Sequence, residues 1–96
     1  MDDESKVLKP KGIQINIGDE LSRGRYSNSM MVSHSAEEFI IDWLLNAPNG
    51  AHLLSRIIVS PAHVKRIIHA LKENLDNYEK RFGGVGEAVS IDPKFH

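Results

Sequence analysis

The chain has 96 residues, a formal net charge of -1 and no cysteine. A chain of this length forms one domain with a thin core, and such domains often depend on disulfides, a metal ion or a partner subunit. The lack of cysteine excludes disulfides and fits a reducing compartment. The nearly neutral charge argues against a protein whose main task is to bind phosphate backbones.

No stretch reaches the about 18 consecutive apolar residues of a membrane-spanning helix. The acidic opening of residues 1–4 is unlike the basic start of a secretory signal. We therefore expect a soluble cytoplasmic protein without membrane contact.

The first eleven residues mix charges with a proline and predict a flexible N-terminal arm. Residues 13–17 alternate apolar and polar side chains, which predicts a first strand with one wet face. Glycine, aspartate and serine residues between positions 18 and 24 predict a connection. A second strand is predicted over residues 25–34.

Residues 35–45 allow two interpretations. Ser35 followed by Glu38 is a capping-box pattern that could open a helix. The stretch is rich in β-branched and aromatic residues, and its apolar residues alternate, so we predict a third strand and keep the helix as the alternative. Residues 46–50 predict a turn with Asn49-Gly50 as its favoured hairpin pair. A fourth strand follows over residues 51–59.

The signals at residues 60–84 predict one long helix. Ser60 is suited to the N-cap, Pro61 to the first helical position and Gly83-Gly84 to the stop, while Lys80 and Arg81 suit the last turn. Its apolar residues recur at alternating steps of four and three, and form a seam that Ile67 and Ala70 widen. The seam residues are Val64, Ile68, Leu71, Leu75, Tyr78 and Phe82.

These elements predict an α+β fold, a four-stranded antiparallel sheet packed on one long C-terminal helix (ββββα), in a single domain of residues 12–84. Residues 85–96 lack periodicity and predict a flexible tail. The third and fourth strands are apolar on both faces, and one helix can cover only one face. Because Ile40, Leu44, Leu54 and Ile58 then need another cover, we expect a homodimer or a higher homo-oligomer.

The patterns that could carry catalysis or metal binding are weak. His63 and His69 stand six apart on the predicted helix, whereas metal-binding histidines on one helix face typically stand four apart. Ser33, His34 and Ser35 have the residue types of a hydrolytic site, but neighbouring strand residues point to opposite faces. The glycines of residues 83–86 follow a helix, so they do not aim a helix N-terminus at a phosphate. We expect no catalytic residues, no metal site and no cofactor.

Two binding interpretations stay open. Exposed Tyr26, Trp43 and Arg56 on a sheet could stack unpaired bases. Methionine and aliphatic side chains on the strands could instead contact a peptide, or simply form core or oligomer interface. The tentative binding residues are Tyr26, Asn28, His34, Ser35 and Arg56, and the first four could equally be a buried hydrogen-bond network that fixes strand register.

Several motifs occur in order along the chain: Gly24-x-Tyr26-Ser27-Asn28, His34-Ser35-x-x-Glu38-Phe39-x-x-Asp42-Trp43, Arg56-Ile57-Ile58-x-Ser60-Pro61-x-His63, Leu71-x-x-Asn74 and Tyr78-Glu79. Through these motifs the chain resembles, over roughly residues 12–83, the prokaryotic family catalogued as domain of unknown function 3467. Trp43 stands where that family usually has phenylalanine. The resemblance implies a small soluble bacterial or archaeal protein, and supplies no activity or site.

The sequence thus favours a non-enzymatic oligomeric binding or scaffold module that presents a sheet surface to a protein or peptide partner. The alternative is a single-stranded nucleic-acid-binding protein that uses the same surface.

Overall fold

The computed structural model describes residues 5–8 and 12–86. The elements in chain order are β1 (Ser5–Leu8), β2 (Ile15–Gly18), α1 (Asp19–Arg23), β3 (Ser29–His34), β4 (Phe39–Ala47), β5 (Gly50–Val59) and α2 (Pro61–Phe82). The predicted α+β class with a C-terminal helix is confirmed.

The strands form two separate antiparallel sheets. β3, β4 and β5 form a three-stranded sheet with β4 in the centre, while β2 pairs with β1. The prediction of one four-stranded sheet is therefore wrong, because the first predicted strand pairs with β1, which lies within the predicted N-terminal arm. β1 and β2 are close in sequence, so closing this pair costs little loop entropy. The rest of the arm and residues 87–96 of the tail lie outside the described residues.

The turn between β3 and β4 explains why the capping pattern at Ser35 opens no helix. The Ser35 hydroxyl accepts hydrogen bonds from the amides of Glu37 and Glu38, at 3.3 Å each. The Ser35 amide donates to the Glu38 carbonyl at 2.9 Å, and His34 lies opposite Phe39 across the turn. The serine thus caps a tight turn, and the strand interpretation of the following residues is confirmed.

The β4–β5 hairpin is confirmed, but its central pair is not Asn49-Gly50. Ala47 pairs with Gly50, so Pro48 and Asn49 occupy the two loop positions. Proline fixes the backbone at the first of them, and Gly50 takes a φ of +120°, which side-chain-bearing residues rarely adopt.

The sheet register divides the side chains of the three-stranded sheet between two faces. Asp42 lies opposite Met31 and Arg56, and we call this side the Asp42 face. Trp43 lies opposite Met30 and Ser55 on the other side, which we call the Trp43 face. Both faces carry further apolar residues: Ile40, Leu44 and Ile58 on the Asp42 face, and Val32, Ile41 and Ile57 on the Trp43 face.

A register shift between Trp43 and Leu44 places an extra residue in β5. Leu54 thereby lies beside Trp43 and Ser55. The prediction that Leu54 shares a face with Leu44 and Ile58 is wrong for this reason, since a bulge resets the alternation of side chains.

Helix α2 begins and ends as predicted. The Ser60 hydroxyl accepts from the His63 amide at 3.2 Å, and Pro61 occupies the first turn. At the other end Gly83 has a φ of +97°, and its amide donates to the Glu79 carbonyl at 2.9 Å. Every signal that specified this helix is local in sequence, which is why the prediction held.

Helix α2 does not cover the sheet of its own chain, contrary to the prediction. None of its residues is buried, and Leu71 at its centre is 63% exposed. Only Ser60 separates β5 from α2, whereas strand-to-helix connections in packed units take about 2–6 residues. The link is too short to fold the helix back over the strand it leaves.

Candidate binding surface

A paired acid and base occupy the centre of the Asp42 face. The Arg56 guanidinium donates two parallel hydrogen bonds to the Asp42 carboxylate, from Nε to Oδ1 at 2.8 Å and from Nη2 to Oδ2 at 3.0 Å. Asp42 is 4% exposed, while the Arg56 side chain is 55% exposed. Hydrogen bonding to Arg56 lowers the pKa of Asp42 from its ordinary value, against the opposing effect of burial.

This pair limits what Arg56 can bind. The pKa of Arg56 is raised, chiefly by its hydrogen bonds to Asp42. The bidentate geometry that guanidinium groups use for phosphate is here satisfied by a carboxylate of the neighbouring strand. Arg56, a tentative binding residue from the sequence, thus holds two strands in register.

Asn28 extends the β3–β4 ladder with its side chain. Its Oδ1 accepts from the Asn46 amide at 2.7 Å, and its Nδ2 donates to the Asn46 carbonyl at 3.0 Å. Beside it the Ser27 hydroxyl lies 2.8 Å from the Leu44 carbonyl and 3.0 Å from the Ser29 carbonyl. These contacts match the register-fixing role that the sequence left open for Asn28.

The remaining tentative residues do not gather into one site. Tyr26 is 78% exposed and precedes β3 together with Asn28. His34 and Ser35 lie at the other end of β3, where the His34 ring stacks on Phe39 with 5.1 Å between ring centroids. A six-residue strand separates the two groups by about 20 Å.

A pocket of about 370 Å³ lies on the Trp43 face. Trp43, which is 39% exposed, contributes an apolar wall together with Leu21 and Leu54. Glu20 and Arg25 add one charge of each sign, and Gly24 and Ser55 complete the lining. We call this the Trp43 pocket.

Sequence reasoning missed this pocket because it missed α1. The five-residue helix carries Asp19 and Glu20 in its first turn and Arg23 in its last, an arrangement that suits the helix dipole. Arg23 also pairs with Asp19 at 2.8 Å, four residues apart. That charge pattern was the available signal, although the glycines that flank it favoured a connection.

Among the described residues, no group of three or more histidine, cysteine, aspartate or glutamate side chains is placed to hold a metal ion. No described helix combines the length and the apolar character needed to cross a membrane.

Fold and surface together define a small α+β protein with a three-stranded antiparallel sheet, an apolar pocket on one sheet face and a C-terminal helix whose apolar side is uncovered. The chain belongs to the family described as "Protein of unknown function (DUF3467)", whose model matches residues 1–87. The match includes the N-terminal arm, which the sequence resemblance left out. No curated protein and no solved structure matches the chain.

Proposed function

We propose that the protein is a non-enzymatic, homo-oligomeric module that binds an extended apolar segment of a protein or peptide partner. The Trp43 pocket is the observation that carries this proposal. It joins a half-open tryptophan to two leucines on a sheet face that also exposes Val32 and Ile57.

The size and lining of the Trp43 pocket suit peptide side chains. Its volume of about 370 Å³ lies near the lower end of the about 300–1,000 Å³ that ligand pockets span. The apolar wall favours one or two aliphatic or aromatic side chains. Glu20 and Arg25, one acid and one base, can form hydrogen bonds with a peptide's backbone or ion pairs with its termini. Because their charges are opposite, they favour neither an acidic nor a basic peptide.

The sheet also offers backbone groups to an extended segment. Within the described residues, β3 and β5 are the edge strands of the three-stranded sheet. Of these β5 is the longer, with ten residues, and it leaves Leu53 and Ile57 exposed. An unpaired edge of this length is a template for an added strand.

Homo-oligomerisation is supported by how little one chain buries. Leu44 is the one hydrophobic residue that is buried in the part of the chain the structure describes. Large apolar side chains stay exposed on the sheet and on α2, among them Ile57, Ile58 and Leu71. Burial of such side chains would contribute to the ~800 Å² per partner of a standard interface.

Single-stranded nucleic acid is the second candidate partner. Tyr26 and Trp43 are exposed aromatic side chains on which bases could stack. The charge disfavours it, since the chain carries a net -1 and Arg56 is bound to Asp42. Peptide binding is therefore the preferred proposal.

The fluorescence of Trp43, the one tryptophan of the chain, provides the test. A phage-displayed library of random peptides is selected on the full chain, and the enriched peptides are titrated while tryptophan emission is followed. We expect enrichment of apolar peptides and a blue shift as the indole loses water. Enrichment no greater than on a blank surface would refute the proposal.

Matched variants locate the binding. Leu54→Ser removes a wall of the Trp43 pocket and should weaken peptide binding at least several-fold. Ile58→Ser is the control on the Asp42 face and should bind as the parent does. An oligothymidylate titration that shifts the emission, and that added salt abolishes, would favour the nucleic-acid alternative, because released counterions make such binding salt-dependent.

A further inference from the structure

The seam of α2 is open to water from Ile68 to Phe82. Ile68, Leu71 and Phe82 are 61%, 63% and 65% exposed, and Leu75 and Tyr78 are 49% exposed each. Burial of apolar side chains is the dominant favourable contribution to most protein–protein association. The chain thus carries a row of large apolar side chains whose burial has to come from outside the described fold.

We propose that a second copy of the same helix covers the seam, in an antiparallel two-helix coiled coil. The proposal rests on the homo-oligomeric part of the proposed function and gives it a geometry. The spacing of four and three is that of a heptad, with Ile68, Leu75 and Phe82 at the a positions and Val64, Leu71 and Tyr78 at the d positions. Ile67 lies at a g position beside this seam, where it would flank the second helix.

Side-chain size favours the antiparallel orientation. If the helices cross midway between Leu71 and Leu75, each of these residues meets the other on the second copy. The next layers then pair Ile68 with Tyr78, and the outermost pair Val64 with Phe82. Each outer layer joins a smaller to a larger side chain, which gives the even filling that close-packed interiors require.

A parallel pair would have uneven layers. Phe82 would meet Phe82 at one end, and Val64 would meet Val64 at the other. The C-terminal end is already bulky, since the Tyr78 and Phe82 rings lie 4.9 Å apart and the Arg81 guanidinium lies 5.3 Å from the Phe82 ring centre. Placing two such ends together would crowd that layer and leave the valine layer loose.

Charges beside the seam favour the same orientation. In the antiparallel pair Lys65 lies beside Glu79 of the second copy, and the two-fold symmetry creates this contact twice. The two Lys72 side chains meet near the axis, but each ammonium lies 3.4 Å from its own Asp76 carboxylate. A parallel pair would instead place Asn74 beside Glu79 and Ile67 beside Lys72, with no ion pair.

The Glu79 carboxylate has two oxygens, and its hydrogen bond within the chain uses one of them. Its Oε2 accepts from the Val85 amide at 2.9 Å, which holds the carboxylate at the helix end. Its Oε1 is the atom that would receive the Lys65 ammonium of the second copy. Within one helix, 14 residues separate Lys65 from Glu79, about 21 Å, so the two cannot pair inside one chain.

Charge reversal tests the orientation. Lys65→Glu and Glu79→Lys each place like charges together twice, and each should weaken the dimer several-fold in a sedimentation concentration series at low salt. The double variant restores opposite charges and should recover the parent's dissociation constant within about twofold. Failure of the double variant to recover would contradict the antiparallel pair.

Disulfide trapping gives a second, independent readout, because the parent chain has no cysteine. Val64→Cys and Phe82→Cys chains, mixed and oxidised, should cross-link with each other and not with themselves. Cross-links between like chains would show a parallel pair, and no cross-link from a dimeric protein would show that the seam lies elsewhere. Both results would overturn this inference.

The two proposals fail in different ways. Leu71→Lys should give a monomer, whereas Glu73→Lys, on the opposite side of the helix, should stay dimeric. If the parent chain is itself a monomer, the homo-oligomeric part of the proposed function fails with this inference. If the parent is a dimer that Leu71→Lys leaves intact, only the helix pairing fails, and peptide binding at the Trp43 pocket is judged separately by fluorescence.

Discussion

At the scale of single residues, the polar side chains that attract attention in the sequence hold the sheet together. The Asn28 side chain forms hydrogen bonds with both the amide and the carbonyl of Asn46, as a paired strand residue would do with its backbone. Ser35 caps a turn, and Arg56 grips Asp42 across the β4–β5 pair. Three of the five tentative binding residues therefore have hydrogen-bond partners inside the chain, and none of the five lines the Trp43 pocket.

The Asp42–Arg56 pair predicts a pH dependence of stability. The pKa of Asp42 is held below its ordinary value of 3.8 by its bonds to Arg56. A carboxyl group whose pKa is lower in the folded state than in the unfolded state stabilises the fold. This contribution is fully present when the pH is above the unfolded-state pKa, and it is lost as the pH falls through the folded-state pKa. The urea midpoint of the parent should therefore fall more steeply below about pH 4 than that of Asp42→Asn.

The sign of the effect can be checked with a control. At neutral pH Asp42→Asn should be less stable than the parent, and the gap should narrow in acid. Asp76→Asn alters a wider 3.4 Å pair whose aspartate side chain is 51% exposed, so it should follow the parent's profile. Parallel profiles for Asp42→Asn and the parent would show that the pair does not couple folding to protonation.

At the scale of elements, the sequence was sufficient wherever the signal was local. The cap at Ser60, the heptad and the stop at Gly83 specified α2, and alternation with β-branched residues favoured a strand over a helix for β4. The pairing of β2 with β1 and the register shift at Trp43 are set by contacts between two strands, which the residue pattern within one strand does not show. The Trp43 pocket needs both α1 and that shift, so local patterns could not predict it.

The end of α2 offers a matched pair of glycine substitutions. Gly83 has φ +97° and ψ 165°, a region that only glycine occupies readily, whereas no positive φ is found at Gly84. A methyl group meets no atom within 4 Å at either site. Gly83→Ala should therefore cost about 1–3 kcal/mol in chemical unfolding through backbone strain alone.

Gly84→Ala should be neutral or stabilising by less than about 1 kcal/mol, because it restricts the unfolded chain without straining the native one. Equal effects at the two positions would show that the helix end is not held in its observed conformation.

At the scale of the whole molecule, the fold is a thin sheet and a helix that give each other little cover. An antiparallel pair of α2 helices would place the two sheets at opposite ends of a rod of about 33 Å. Each end would carry one Trp43 pocket. A partner with two apolar segments could then bind both pockets, which raises avidity when its linker spans the distance.

Coupling of folding to association predicts that thermal stability depends on concentration. Because only Leu44 forms a buried apolar core among the described residues, most apolar burial must come from the second copy, and dilution then favours the unfolded chain. The melting temperature should rise by a few degrees for each tenfold increase in protein concentration. Leu71→Lys, which removes the seam contact, should melt lower and lose this dependence. A melting temperature that stays constant across the series would mean that one chain is stable alone, and that the open seam and sheet serve other partners.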